Sequence, residues 1–197
     1  EHTLIPRADT ETLIEWVLEL ADSLPEQTRV IDLGTGTGAI ALSLAYEFPR
    51  WDVQGVDLIP QAVALAQQNG QLNQLECVRF YQSSWFEEVE GQFDLIVSNP
   101  PYIDPEDKHL DQGDVRFEPK SALVADNKGL ADLELIAQQG RDFLAEGGWL
   151  LMEHGYDQQD AVQQLLCNLG YQNVATRIDL GGNPRITGGQ FYKGETS

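Results

Sequence analysis

Short apolar runs alternate with stretches of helical periodicity along most of the chain. The apolar runs, rich in Val, Ile, Leu and Phe, predict buried strands, and the stretches between them predict amphipathic helices. Strands are predicted at 29–33, 53–56, 78–81, 93–97 and 149–152, and helices at 38–48, 60–69, 131–144 and 158–169. This alternation predicts an α/β fold around a mainly parallel sheet.

The two ends of the chain extend the pattern. A helix near the N-terminus is predicted to be capped at Asp9 or Thr10. Its apolar face is formed by residues at helical spacing: Leu13, Ile14, Val17, Leu18 and Ala21. Near the C-terminus, residues 171–178 and a run that ends at Tyr192 predict an antiparallel strand pair, with its turn at 181–184.

The composition is that of one globular domain. The chain has 197 residues, 42% of them hydrophobic, so residues 1–197 are predicted to form a single domain with a substantial core. No apolar run approaches the length of a membrane span, and no secretory signal is recognisable. We therefore expect a cytoplasmic protein without membrane contact. Cys77 and Cys167 are expected to be free, buried thiols, with a disulfide between them as the alternative.

Acidic residues strongly outnumber basic ones. There are 32 Asp and Glu against 12 Lys and Arg, which gives a formal net charge of −20. Such a surface repels phosphate backbones, so the charge argues against a nucleic-acid partner and favours a basic protein partner. Solubility alone explains the same acidity equally well.

A glycine-rich turn joins the first predicted strand to the helix after it. Asp32 and Leu33 precede Gly34-Thr35-Gly36-Thr37-Gly38, and glycines at such a turn let the backbone approach a ligand closely. Asp57 ends the next strand, where its carboxylate can accept hydrogen bonds from both hydroxyls of a ribose. The spacing also fits a nicotinamide dinucleotide site, but alternating glycines after an acid favour S-adenosylmethionine, which has no pyrophosphate. A tight turn without a ligand is the alternative.

The fourth predicted strand stops at Asn99-Pro100-Pro101-Tyr102, at the sheet edge where ligands bind in open α/β folds. An amide nitrogen is a poor nucleophile, and its two N–H groups need two acceptors. The side-chain oxygen of Asn99 and the carbonyl of Pro100 can supply both, on a backbone held rigid by two prolines. Tyr102 offers a flat face to a planar substrate. These residues predict methyl transfer to a planar amide or amine nitrogen, with a plain strand-ending turn as the alternative.

Several other residues have a functional and a structural interpretation. Trp85 is a candidate to pack on an adenine ring, or else an ordinary core aromatic. Arg116 lies in the long aperiodic segment 102–128 and pairs either with a ligand carboxylate or locally. His154 is expected to be a structural histidine, and Gly188-Gly189-Gln190 a turn that enters the last strand. No spacing of His, Cys, Asp or Glu predicts a metal site.

The sequence resembles the peptide-chain release-factor glutamine methyltransferases (the PrmC/HemK family) over nearly its whole length. The four-residue motif at Asn99 is shared with other amino-methylating enzymes, whereas the first and the last two of the matching groups are more specific. The groups are Leu4-Ile5-Pro6-Arg7-Ala8-Asp9-Thr10-Glu11, Asp32-Leu33-Gly34-Thr35-Gly36-Thr37-Gly38, Asn99-Pro100-Pro101-Tyr102-Ile103, Arg116-Phe117-Glu118-Pro119 with Ala122-Leu123, and Glu153-His154-Gly155.

The resemblance implies a Rossmann-like, seven-stranded class I methyltransferase fold, mostly parallel, with an antiparallel C-terminal strand. The cofactor would be S-adenosylmethionine, with S-adenosylhomocysteine as the product. The substrate would be the glutamine of the Gly-Gly-Gln motif in class 1 translation release factors. Cofactor contacts would fall on Gly34, Thr35, Gly36, Thr37, Gly38, Asp57, Trp85 and Asn99, and substrate contacts on Asn99, Pro100, Pro101 and Tyr102. Asn99, Pro100 and Tyr102 would be the catalytic residues.

The chain departs from the family pattern in two ways. Ala8 stands where the family usually has proline, and the N-terminal helical domain that helps members grip the release factor is expected to be absent. We expect a monomer. The nearest alternative function is methylation of the exocyclic amine of a nucleic-acid base, which would call for a basic groove or a recognition domain. A catalytically silent binding module and a nicotinamide oxidoreductase are further alternatives.

Overall fold

The computed structural model describes residues 8–100 and 130–193. The helices are α1 (Ala8–Leu20), α2 (Ala39–Glu47), α3 (Pro60–Leu72), α4 (Ala131–Phe143) and α5 (Gln159–Asn168), with a short 3₁₀ helix (Ala21–Ser23) after α1. The strands are β1 (Arg29–Leu33), β2 (Asp52–Asp57), β3 (Arg79–Gln82), β4 (Phe93–Ser98), β5 (Leu144–Glu153), β6 (Gln172–Ile178) and β7 (Pro184–Phe191). None of the helices in these two ranges is both long and apolar enough to cross a membrane.

The seven strands form one sheet in the order β3-β2-β1-β4-β5-β7-β6. All pairs among β3, β2, β1, β4 and β5 are parallel, and β7 is antiparallel to both of its neighbours. The predicted fold class is confirmed. The chain leaves β1 toward β2 on one side and returns to β4 on the other, so a crevice forms at the carboxyl ends of β1 and β4.

The central strands are buried on both faces, which explains their nearly continuous apolar sequences. Along β1, Val30 points to the face that packs against α1, α2 and α3, whereas Ile31 and Leu33 point to the opposite face. On that second face Leu133 of α4 and Val162 of α5 complete the core. Two layers of helices therefore hold the sheet rigid beneath the crevice.

The first helix differs from its prediction in two details. It begins at Ala8, so Asp9 and Thr10 lie inside the helix rather than capping it. Leu18, expected on the buried face, is 45% exposed, and Trp16 is buried instead with an exposed fraction of 3%. Trp16 packs edge-on against Trp149 at a centroid distance of 6.4 Å, so a contact with β5 selects which side of the helix is buried.

Two glycine pairs that suggested turns lie inside strands. β5 begins at Leu144 rather than at Trp149, because Gly147 and Gly148 pass through an irregular pairing with β4 without ending the strand. Gly188 and Gly189 are buried in β7, so the predicted turn at these residues is wrong. A Cβ on Gly188 would lie 2.9 Å from a ring carbon of Trp16, which is why only glycine fits in this strand.

The two cysteines are free, as predicted, but both Cys77 and Cys167 are exposed rather than buried. Cys77 lies in the connection before β3, and Cys167 lies in the last turn of α5. Neither position faces the sheet, and this is why the usual preference of free cysteine for the interior does not hold here.

Candidate active site

Three connections meet at the carboxyl edge of the sheet. In the strand register Leu33 of β1 lies beside Val56 of β2 and Ser98 of β4, so the chain segments that follow all three begin side by side. These segments contain the glycine turn, the region after Asp57, and Asn99-Pro100. The sheet therefore brings the glycine turn, Asp57 and Asn99-Pro100 to the same edge.

The glycine turn needs glycine for conformational reasons. Gly34, Gly36 and Gly38 have φ values of +70°, +55° and +80°, a region in which side chains with a Cβ are strained. At Gly38 a Cβ would also lie 2.9 Å from the ring of Phe80, whereas at Gly36 no described atom lies within 4 Å of that position. The middle of the turn therefore leaves open space into which a ligand can come close to the backbone.

Hydrogen bonds from distant residues hold the turn in place. The amide of Thr35 donates to the carbonyl of Val56 at 2.8 Å. The side-chain amide of Asn69, on α3, donates to the carbonyl of Thr37 at 2.9 Å. One amide and one carbonyl of the turn are thus paired with groups of β2 and α3, and these bonds fix its shape.

Asp57 faces the glycine turn directly. Its Oδ2 accepts the Gly36 amide at 2.9 Å, and its Oδ1 accepts the Ile59 amide at 2.9 Å. Each carboxylate oxygen has a further lone pair, and the side chain is only partly buried. The two amides thus fix a carboxylate that can still accept the two hydroxyls of a ribose.

Asp32 lies beneath the same turn and is fully buried. Its Oδ2 accepts the Thr35 hydroxyl at 2.6 Å, and its Oδ1 has no hydrogen-bond partner in the described part of the chain. Burial raises the pKa of Asp32 to about 7, while the Thr35 hydroxyl and the backbone amide of Ala41 on α2 oppose this shift. The nearby charge of Asp57 acts in the same direction as burial. A buried carboxylate with an unpartnered oxygen favours a cationic group beside it. The sulfonium and ammonium groups of S-adenosylmethionine fit this environment.

Trp85 borders the glycine turn on the side of β3. Its Cζ3 lies 3.4 Å from the position that a Cβ on Gly34 would occupy, and its ring also packs against the core. The backbone of Trp85 has a φ of +49°, and the Ser83 hydroxyl donates to its carbonyl at 2.9 Å. Trp85 is thus both a partly buried core aromatic and a wall of the candidate site. Next to it, an open groove of about 550 Å³ is lined by Leu58 and residues 81–84, 87 and 88.

Asn99 and Pro100 follow β4 at the crevice. The hydroxyl of Ser98 donates to the carbonyl of Leu33 at 2.8 Å, and this bond joins the ends of β4 and β1. Asn99 is half-buried and Pro100 is buried, so the pair is held by the fold next to the glycine turn. The other two residues of the motif, Pro101 and Tyr102, lie outside the described residues, as does Arg116.

His154 is a structural residue, as the sequence predicts. It is fully buried, with Nδ1 2.8 Å from the carbonyl oxygen of Gly155 and Nε2 2.7 Å from the Thr187 hydroxyl. Burial lowers the pKa of His154, which favours the neutral ring. A neutral ring that donates from Nδ1 to the carbonyl accepts the Thr187 hydroxyl at Nε2.

Sequence reasoning used Asp32 only as part of the glycine motif, and it missed Ser98 and Asn69. Asp32 has a detectable signal, an acid inside an apolar strand, but its unpartnered oxygen depends on the fold. Ser98 and Asn69 act through single hydrogen bonds to Leu33 and Thr37 across 65 and 32 sequence positions. No local sequence pattern predicts hydrogen bonds between residues so far apart in the chain. Within residues 8–100 and 130–193, no group of three His, Cys, Asp or Glu side chains is placed to hold a metal ion.

The chain is similar to known methyltransferases in both sequence and structure. The family model of the methyltransferase small domain matches residues 10–118. The release factor glutamine methyltransferase of Salmonella typhimurium is 54% identical over 191 residues, which cover 96% of this chain and 68% of that protein. That of Escherichia coli K12 is 52% identical over 193 residues, covering 97% of this chain and 69% of that protein. This chain thus spans about two thirds of the length of these relatives.

Among solved structures, an RNA methyltransferase from Salinibacter ruber in complex with S-adenosyl-L-homocysteine has a similar fold. Its TM-score is 0.62 at 15% identity, and the match covers 97% of this chain and 95% of that one. At this identity the likeness concerns the fold alone.

Proposed function

Because the chain belongs to the release factor glutamine methyltransferase family, we propose that it methylates the side-chain amide of the glutamine in the Gly-Gly-Gln motif of class 1 release factors. Its methyl donor is S-adenosylmethionine. One observation supports the acceptor chemistry most directly. Asn99 and Pro100 follow β4 beside the glycine turn, and the bond from Ser98 to Leu33 holds them there.

We propose that the residues around the glycine turn hold the cofactor. Gly34 through Gly38 approach it with their backbone, and the carboxylate of Asp57 accepts the ribose hydroxyls. Trp85 packs on the adenine, and Asp32 contributes negative charge toward the cationic end. When bound, the cofactor supplies an electrophilic methyl group on a sulfonium sulfur. The fixed, partly exposed carboxylate of Asp57 supports this assignment, because hydrogen bonds to a charged group contribute about 1.5–3 kcal/mol each.

Asn99 and Pro100 orient the nitrogen that is methylated. The side-chain oxygen of Asn99 accepts one N–H of the glutamine amide, and the carbonyl of Pro100 accepts the other. The nitrogen is thereby held in the geometry required for in-line displacement, and such positioning contributes up to about 7–11 kcal/mol. Methylation makes the nitrogen acidic, so one of its protons leaves to solvent without a strong base. Pro101 and Tyr102 would enclose the planar amide.

The net negative charge of the chain indicates which kind of macromolecule it binds as substrate. A net charge of −20 favours a protein substrate with basic surface over a nucleic acid. We propose that the chain acts as a monomeric catalytic domain, in the cytoplasm where translation takes place, and without nucleic acid as substrate.

Mass spectrometry of a class 1 release factor after incubation with the protein and S-adenosylmethionine tests this function. We expect one added methyl group on the glutamine of Gly-Gly-Gln, and none on a release factor that carries asparagine at that position. A chain with Asn99→Ala serves as the enzyme control. An unmodified release factor, while tritiated methyl groups from the cofactor appear in a nucleic acid, would show that the substrate assignment is wrong.

A further inference from the structure

Three large apolar side chains are exposed at the carboxyl edge of the sheet, on the β5–β6 side of Asn99. Tyr156 follows β5 and is 63% exposed, and Ile178 and Leu180, at the tip of the β6–β7 hairpin, are 63% and 79% exposed. We call these three residues the apolar ledge. The register sets its level, because Ser98 pairs with Met152 and Glu153 pairs with Ile186. Asn99 is therefore level with Ile186, and the hairpin tip extends beyond it.

The hairpin tip is rigid, so its apolar side chains are held in place. Asp179 accepts the amide of Asn183 at 2.9 Å and the Nε of Arg185 at 3.3 Å. The backbone adds two bonds, from Asp179 N–H to the Asn183 carbonyl and from Gly182 N–H to the Asp179 carbonyl. The hydrogen bond from Asn183 is the first cause that keeps the pKa of Asp179 below its usual range. The carboxylate stays charged, and the tip does not need a partner to become ordered.

The turn that contains Tyr156 is also held in place by hydrogen bonds. Gly155 donates to the Gln158 side-chain oxygen at 2.8 Å, and Gln158 donates back to the Gly155 carbonyl at 3.0 Å. His154, just before this turn, contacts Thr187 of β7, whose hydroxyl lies 2.7 Å from that of Thr176 on β6. This buried chain of polar contacts fixes the turn against the same hairpin.

The ledge lies within reach of a substrate held at Asn99. Neighbouring strands are about 4.8 Å apart, so β7 and β6 are about 10 Å and about 14 Å from β4 along the sheet. An extended peptide advances about 3.4 Å per residue. A segment bound with its glutamine at Asn99 would therefore reach the ledge three or four residues away.

From this juxtaposition we infer that the apolar ledge is a docking surface for the protein substrate, where it binds apolar side chains close to the methylated glutamine. The inference rests on the proposed function. The charges around the ledge define the partner further. Asp157 and Asp160 are exposed, whereas Arg185 is paired with Asp179 and Arg177 with Glu19. The ledge therefore favours an apolar segment flanked by Lys or Arg. Exposed apolar side chains on rigid supports at the substrate edge can bury apolar groups of a bound protein.

Steady-state kinetics with a full-length class 1 release factor test the inference. The variant combines Ile178→Ser and Leu180→Ser, and Tyr156→Ser is measured separately. Leu72→Ser and Tyr46→Ser are matched controls, because these residues are 72% and 71% exposed but lie at the ends of α3 and α2, toward the opposite edge of the sheet. We expect the double variant to raise KM for the release factor about tenfold, equivalent to about 1.4 kcal/mol, while kcat changes less than about twofold. The controls and the affinity for S-adenosylmethionine should not change.

Three other results would overturn the inference, and they show whether the proposed function fails with it. If the wild-type chain methylates the release factor and the double variant has an unchanged KM, the ledge is not a substrate surface, while the proposed function stands. If the wild-type chain neither methylates nor binds the release factor, both fail. Light scattering is measured alongside, and a dimer that the double variant dissociates without change in KM would make the ledge a self-association surface instead.

Discussion

Replacing Asp32 with asparagine should remove a pH-dependent loss of stability. Asp32 is fully buried, and its pKa is raised from 3.8 to about 7 chiefly by burial. Between those pH values the folded chain keeps a proton that the unfolded chain releases, so the free energy of unfolding falls as the pH rises. This loss is complete above about pH 7 and absent below about pH 4.

The size of this loss of stability follows from the difference between the two pKa values of Asp32. Each pH unit corresponds to about 1.4 kcal/mol, which gives about 4 kcal/mol in all for a single group. Asparagine never ionises, and it retains an oxygen that can accept the Thr35 hydroxyl. The Asp32→Asn variant should therefore match the wild type near pH 4 and exceed its free energy of unfolding by up to about 4 kcal/mol above pH 7.

Urea unfolding followed by tryptophan fluorescence, for both proteins at several pH values between about 4.5 and 8.5, measures this difference. The other titrating groups are common to both proteins and largely cancel. A constant difference across the pH range would refute a raised pKa for Asp32. Calorimetry on the same samples should show that the gain in stability is accompanied by a loss of cofactor affinity. We expect the variant to bind S-adenosylmethionine about ten- to a hundredfold more weakly at pH 8. Unchanged affinity would mean that Asp32 does not serve the cofactor.

Three further substitutions test the site. Asn99→Ala should lower kcat by a factor of about 10² to 10³, because one acceptor for the substrate amide is lost, while calorimetry shows a much smaller change in cofactor affinity. Asp57→Ala should weaken S-adenosylmethionine binding in calorimetry by at least about tenfold, since both hydroxyl contacts and the brace on Gly36 are lost. Gly55→Ala should lower the free energy of unfolding in urea by about 1–3 kcal/mol, because the new Cβ would lie 2.7 Å from Phe80 and from the Thr35 hydroxyl.

For each of these substitutions, one outcome would contradict the prediction. Undiminished turnover of Asn99→Ala would remove that residue from the reaction. Wild-type affinity of Asp57→Ala would place the ribose elsewhere. For Gly55→Ala, adding Phe80→Leu should recover part of the lost stability by making room for the methyl group. If the second substitution only adds to the loss, crowding at this point is not the cause.

The features that could be predicted from sequence are those in which neighbouring residues act together. The strand sequences of β1, β2 and β4, the left-handed glycines at 34–38 and the Asn-Pro-Pro stop all follow from local periodicity or backbone sterics. Predictions from the sequence were wrong where tertiary contacts override the local conformational preference of the residues. Gly188-Gly189 has the composition of a turn, yet it lies in β7 because the close packing of Trp16 and β5 leaves no room for a side chain.

Gln190 is a second residue whose role could not be predicted from the local sequence. Gly188-Gly189-Gln190 spells the expected substrate sequence, and nothing local excludes it as a target of self-methylation. In the fold its amide nitrogen donates to the Gly147 carbonyl at 2.8 Å, and its oxygen accepts Asn173 at 2.9 Å. The amide is thus already paired on both sides, beside Trp149 and well before β5 reaches the edge that carries Asn99.

Sequence by itself determined the order of the elements, the glycine turn, the acid after β2 and the residues that follow β4, because each depends on a few consecutive side chains. Only the tertiary structure decided that Asp32 is buried with an unpartnered oxygen, that Ser98 ties β4 to β1, and that the tip after β6 reaches the edge of Asn99. Burial, pKa and proximity are set by groups far apart along the chain, and those groups come together only when the sheet forms.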